Sequence, residues 1–266
     1  MSQRVLVMCD THIGSDVALA PEELILESNN RIMANEIQLA ILQEFYNMID
    51  DVGRVDLLIL NGDLVEGTNY YGEGAGCITT SMNQQAKTAI ELLSEIKFRK
   101  VVGCRGTAYH GKKNPNLDHL VIEGLGGVCM DEVSMKIGET RIYANHRTPV
   151  RMARFETRPQ SVAQDMLLAE LNEMDFGHFD IICKAHVHYF VALDMGKSIG
   201  FVCPCWKGRD EFAKGAANPF AFNPSIGYIM FDIENDGSFS WTKSIKNLKG
   251  NNAIKTLDIR DIPSRY

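Results

Sequence analysis

Two histidines one residue apart close the stretch "IICKAHVHY", residues 181–189. In a strand, residues i and i+2 point to one face, so His186 and His188 would address one spot just beyond the strand end. The same spacing occurs at Asp10 and His12 in "VMCDTHIG". Three further stretches bring similar chemistry: Asp63 in "NGDLVEG", Thr107 and His110 in "GCRGTAYHG", and Asn145-His146 in "YANHR". Carboxylates with imidazoles, and no thiolate among them, suit Mn²⁺, Fe or Zn²⁺. Two aspartates and at least three histidines exceed the three protein ligands that a single catalytic metal usually takes. Two metals about 3.5–4 Å apart fit better, and such pairs serve in-line displacement at phosphorus. Two divalent ions are therefore expected as cofactors, Mn²⁺ first, with Fe, Zn²⁺ or Ni²⁺ as alternatives.

Each of these residues follows an apolar run that reads as a strand. "RVLVMCD", "VDLLIL" and "KVVGC" alternate with helical patterns over "NEIQLAILQEFYNMID" and "ITTSMNQQAKTAIELLSEIKF". That β-α-β-α-β order, with continuously apolar strands, predicts parallel strands covered on both faces. The second half predicts a hairpin, "VSMKI-GE-TRIYAN", turning at Gly138-Glu139, and then a helix from Pro159 over "PQSVAQDMLLAELNEM". Strands "FDIICKA" and "YFVALDM" flank the histidine pair, and "IGFVCP", "SIGYIMFDI" and "SFSWTKSI" follow. Ligands of such folds gather beyond the carboxyl ends of strands, where all five polar stretches lie. Five of the seven histidines fall there; His119 and His178 do not and are read as ordinary residues. With no repeat and no linker, the expectation is one α/β domain over 1–266 with two sheets.

The totals agree with an ordinary globular chain: 266 residues, 45% hydrophobic and 23% charged. The formal net charge of −7 argues against a general nucleic-acid coat. Seven scattered cysteines, an odd number in mostly apolar runs, predict free thiols in a reducing compartment. No apolar run reaches the roughly 18 residues that span a membrane, and the start resembles no signal peptide. A cytoplasmic protein without membrane partners is expected.

Taken in order, D-x-H, G-D, a glycine-bearing loop ending in histidine, N-H and H-x-H resemble the calcineurin-like metallophosphoesterase superfamily. Here these are Asp10-Thr11-His12, Gly62-Asp63, Gly106 to His110, Asn145-His146 and Ala185-His186-Val187-His188. The resemblance implies a four-layer α/β/β/α sandwich with two mixed β-sheets. It also implies that Asp10, His12 and His188 hold one metal, that His146 and His186 hold a second, and that Asp63 bridges both. The family's bridging hydroxide attacks phosphorus. The third motif departs from the family's Gly-Asn-His: Thr107 and Ala108 stand in the place of Asn and His, and His110 follows two residues later. This variant resembles phage and prophage members, which would place the protein in a host cytoplasm. His110 is expected either to act as the acid on the leaving group or to supply the missing ligand.

Arg147, Arg151, Arg154 and Arg158 follow the motif histidine at spacings that align on one helix face, and arginine matches phosphate in a bidentate way. Lys112 and Lys113 extend this basic rim. Farther on, Trp206 could stack on a base or sugar, with Lys207 near the phosphate. Arg147, Arg151, Trp206 and Lys207 are therefore expected to bind substrate. The expected activity is hydrolysis of a phosphomonoester or phosphodiester, with a nucleotide or nucleic acid as the anionic substrate and a DNA or RNA nuclease as one alternative. The other alternative is a metal-binding scaffold that kept the fold without turnover.

Overall fold

The computed structural model describes residues 2–69, 73–108, 110, 117–147, 159–172, 177–210, 224–246 and 248. The strands are β1 (Gln3–Met8), β2 (Glu23–Ile25), β3 (Arg31–Met33), β4 (Val55–Asn61), β5 (Phe98–Cys104), β6 (Val128–Met130), β7 (Val133–Ile137), β8 (Thr140–Asn145), β9 (Ile181–Lys184), β10 (Val191–Asp194), β11 (Ile199–Val202), β12 (Ile226–Ile233) and β13 (Phe239–Lys246). The helices are α1 (Glu36–Val52), α2 (Met82–Leu93), α3 (Leu117–Gly124) and α4 (Gln160–Leu171).

The first sheet runs β13-β12-β1-β4-β5-β6 and the second β10-β11-β9-β8-β7; β2 and β3 form a small separate hairpin. Strands β1, β4, β5 and β6 are mutually parallel, while β12 and β13 close the sheet antiparallel. The fold is α/β in four layers. One face of the first sheet packs Leu6, Met8, Leu58 and Leu60 against Phe45 and Met48 of α1 and Ala89 and Leu93 of α2. Its other face packs Val5, Val7 and Ile59 against Ile142, Ile181 and Phe201 of the second sheet. Beyond that sheet, Val162 and Met166 of α4 cover Ile182 and Val202. A strand buried on both faces needs apolar side chains at every position, which explains the unbroken runs in β1 and β4.

Local chemistry sets the helix starts. Asn35 caps α1 by accepting from the Ile37 and Gln38 amides, and the Gln38 side chain returns to the Asn35 amide, a capping box. The same residues tie the helix to the loop after β1: Asn35 Nδ2 donates to the Asp16 carbonyl at 2.7 Å and Gln38 Nε2 to the Ser15 carbonyl at 3.1 Å. Ser81 caps α2, which is shorter than its sequence pattern suggested. Pro159 precedes α4 without a side-chain cap. No helix among the described residues is long and apolar enough to cross a membrane.

Candidate metal centre

The loop after β1 and the loop after β4 continue the parallel pairing of their strands past the strand ends. Asp10 N donates to the Gly62 carbonyl at 2.9 Å, His12 N to Asp63 at 3.0 Å and Ile13 N to Leu64 at 3.0 Å; Glu66 N returns to Ile13 at 3.1 Å. Backbone strain concentrates here. Asp10, His12, Asp63, His186 and His188 all have positive φ, between 44° and 81°. Outside glycine that region is sparsely used, and surrounding structure must hold each residue in it. Glycine clears the space around them. Gly62 sits at φ 78°, where a Cβ would come within 2.6 Å of His146 Nδ1, and a Cβ on Gly106 would collide with Asp63 Oδ1.

Two triads converge on this spot, Asp10–His12–His188 and Asp63–His146–His186, and a third group, His12–Glu66–His110, shares His12 with the first. In the first, His12 Nε2 lies 3.1 Å from His188 Nε2, and Asp10 Oδ1 lies 3.2 Å from His188 Nε2 and 3.8 Å from His12 Nε2. In the second, Asp63 Oδ2 lies 3.0 Å from His146 Nε2 and 3.8 Å from His186 Nδ1. Bonds near 2.1 Å to one metal would leave ligand atoms about 3.0–3.4 Å apart, close to these separations. The triads adjoin: Asp10 Oδ1 is 4.0 Å from His146 Nε2.

The ring orientations suit ligation. His12 Nδ1 meets Glu66 Oε2 at 2.8 Å, and His146 Nδ1 donates to the Asn61 carbonyl at 2.6 Å, so each presents Nε2 to the site. Asp10 Oδ1 and His146 Nε2 are buried and make no hydrogen bond, although His188 Nε2 lies 3.2 Å from the first and Asp63 Oδ2 3.0 Å from the second. Buried polar atoms are rarely left so, and a cation between the triads would satisfy both. The residues present therefore fit divalent metals.

Asp63 is held from behind. Its Oδ1 accepts from the Thr107 amide at 2.6 Å and the Thr107 hydroxyl at 3.1 Å. Asp118, in the first turn of α3, accepts from Leu64 N at 2.8 Å and Gly106 N at 2.7 Å, bracing the two loops that flank Asp63. His110 stands between the groups: Nδ1 donates to the Glu66 carbonyl, Nε2 lies 3.7 Å from Asp63 Oδ2, and its ring meets His12 edge-on at 4.7 Å.

Charge follows this geometry. Burial would raise the carboxyls of Asp10 and Asp63, but His146 and the other imidazoles outweigh it and hold both well below the usual range. Burial and Lys207 pull His12 down, yet Asp10 and Glu66 lift it to about 9. His146 rises to about 10 against burial, through Asp63 and Asp10. Burial lowers His110 and His188. Burial, with Asp63 beside it, raises Asp118 to about 6.

Of the expected substrate-binding residues, Arg147 is exposed and lines an open cleft of about 560 Å³ with His186, Thr107, Ala108, Asn145, Asp165 and Lys184. Arg151, Arg154, Arg158, Lys112 and Lys113 lie outside the described residues. Trp206 does not face the site. It has no exposed surface and packs edge-on against Phe45 in the core, so no base can stack on it. Lys207 is also withdrawn: it is 4% exposed, and its ammonium sits 3.0 Å from both Glu66 oxygens and 3.0 Å from Asp210 Oδ2. Those carboxylates neutralise the charge expected to meet phosphate. His119 and His178 pair with Glu123 and Asp180 away from the site. Glu66 and Asp118 were missed. Glu66 shares the Asp63 loop, three residues on, and that proximity was the available signal.

No protein-family model matches the chain, and no curated protein does. Among solved structures it is similar to Vacuolar Protein Sorting 29 from Cryptosporidium parvum, at 15% identity over 93% of this chain and 99% of that one, TM-score 0.48. An archaeal phosphodiesterase matches at 10% identity over 91% and 99%, TM-score 0.46. A predicted phosphoesterase from Streptococcus pneumoniae matches at 12% identity over 92% and 99%, TM-score 0.39. Identities and scores this low say nothing about activity.

Proposed function

We propose that this protein is a phosphoesterase that works with two divalent metals, one held by Asp10, His12 and His188 and the other by Asp63, His146 and His186. The observation that carries this reading is the pair of adjoining triads with Asp10 Oδ1 and His146 Nε2 buried between them and unsatisfied. Metals bound there would supply positive charge to polarise a phosphate ester and acidity to a water molecule. Asp63, fixed by Thr107, keeps one carboxylate oxygen turned to His146, His186 and His110. His110 stands outside both triads. With Nδ1 tied to the Glu66 carbonyl, any proton it exchanges with a leaving oxygen moves at Nε2. The cleft beside His186 gives an ester substituent room, and Arg147 at its rim favours an anionic one, including a nucleotide or nucleic-acid diester. Free cysteines fit a reducing compartment, and we place the protein in the cytoplasm.

The test is hydrolysis of p-nitrophenyl phosphate and bis-p-nitrophenyl phosphate by metal-free protein, Mn²⁺-loaded protein and loaded protein with chelator. Turnover only in the loaded sample supports the reading, and the ratio of the two rates separates monoesterase from diesterase. Loaded protein that turns over neither ester, nor any nucleotide, would leave a metal-binding scaffold.

A further inference from the structure

Lys207 and Glu66 form a buried pair that meets the site through His12 and, by the Glu66 carbonyl, through His110. Glu66 extends from the loop after β4, and its amide is locked to the Ile13 carbonyl. Its Oε2 meets His12 Nδ1 at 2.8 Å. Both carboxylate oxygens accept from the Lys207 ammonium at 3.0 Å. An ordinary buried lysine would be costly, and here two carboxylates, Glu66 and Asp210, offset the cost. The segment carrying Lys207 is itself clamped to the loop that carries Asp10 and His12. Trp206 N donates to the Asp10 carbonyl at 3.0 Å, Leu19 N to the Trp206 carbonyl at 3.0 Å and Gly208 N to the Val17 carbonyl at 2.7 Å. Trp206, fully buried against Phe45, anchors that clamp in the core.

We infer that Lys207 and Glu66 are positioning residues for the first metal position: Lys207 fixes the Glu66 carboxylate, and Glu66 fixes the ring and tautomer of His12 so that Nε2 faces Asp10 and His188. The inference rests on the proposed metal site. It also makes the two positions unequal in their support. His12 leans on a carboxylate that is held by an ammonium, whereas His146 leans on a backbone carbonyl, Asn61. Partners that orient a ligating histidine typically change metal affinity about 10–100-fold when removed. The effect of Glu66 should therefore fall on one position and spare the other.

The experiment is calorimetric titration of metal-free wild type, Glu66→Gln, Lys207→Met and the double variant with Mn²⁺ and with Zn²⁺, with circular dichroism to verify folding. Glu66→Gln keeps the side-chain volume and should weaken one of two binding events about 10–100-fold, leaving the other within twofold. Residues acting through one histidine are non-additive, so the double variant should lose no more at that position than Glu66→Gln alone. Two unchanged binding events in Glu66→Gln, or equal weakening of both, would overturn the inference. Should the variants fail to fold, nitrogen NMR of the wild type decides it. Metal-loaded His12 is expected as the Nδ1–H tautomer, and the Nε2–H tautomer would overturn the inference. A wild type that binds no metal would instead remove the proposed function, and the inference with it.

Discussion

Replacing Trp206 should damage stability, with little effect on substrate affinity. The indole has no exposed surface and belongs to the cluster that holds Leu19, Phe45, Met48, Ile226 and Tyr228. Its ring centroid is 5.8 Å from that of Phe45 at 85°, an edge-to-face contact. Truncating such a residue to alanine removes its transfer energy and leaves a cavity, a combined cost of about 3–5 kcal/mol. Trp206→Phe should be milder, about 1–2 kcal/mol for the lost volume. The indole Nε1 has no hydrogen-bond partner, so its removal strands no acceptor. Urea unfolding followed by far-ultraviolet circular dichroism measures both, with Trp206→Ala shifting the midpoint much further than Trp206→Phe. KM for a nucleotide ester should stay near wild type in Trp206→Phe. A Trp206→Ala protein that unfolds at the wild-type midpoint but has a strongly raised KM would refute the core placement and restore base stacking.

Gly62→Ala would put a methyl group within 2.6 Å of His146 Nδ1 at a φ of 78°. It should displace that ring from the Asn61 carbonyl and, on the proposed site, lower the metal content by the ion assigned to Asp63, His146 and His186. Metal affinity should also depend on pH. His12 and His146 lie near 9 and 10 without metal, so both carry a proton at neutral pH, and a metal must displace it. Displacing that proton from His12 or from His146 should make affinity rise about tenfold per pH unit through the neutral range. Titrations at pH 6, 7 and 8 that gave a flat profile would contradict that protonation. For His110→Ala, proton transfer at Nε2 predicts a severe rate loss on an alkyl ester, a mild loss on a nitrophenyl ester and full metal content. Lost metal with equal losses on both esters would make His110 a ligand.

The convergence of Asp10, His12, Asp63, His146, His186 and His188 was legible because strand periodicity is local: an apolar run ends, and the next polar residues must lie at the sheet's edge. The Gly138-Glu139 hairpin was legible for a similar reason, with turn residues between two alternating runs. Burial of polar groups was not. One partner of Lys207, Asp210, lies three residues on, but the other, Glu66, lies 141 residues away, and no local pattern signals that the ammonium turns inward to meet it. Trp206 was expected to stack on a base or sugar, yet it packs against Phe45 of α1 with no exposed surface. The three-residue strands β2, β3 and β6 carry too few residues to show a period, and they form through pairing with neighbours. The 78–98 pattern overran α2 because apolar spacing continues past Ser94 into β5, where only sheet pairing decides the conformation.

The central claim is that the two triads are two metal positions. Its most direct test is the metal count, by mass spectrometry, of protein stripped with chelator, reloaded with Mn²⁺ and desalted, for wild type, Asp10→Asn and His146→Ala. The account predicts two ions per chain in wild type and about one in each variant, with the fold intact. No retained metal in wild type, or the same count in all three proteins, would contradict it.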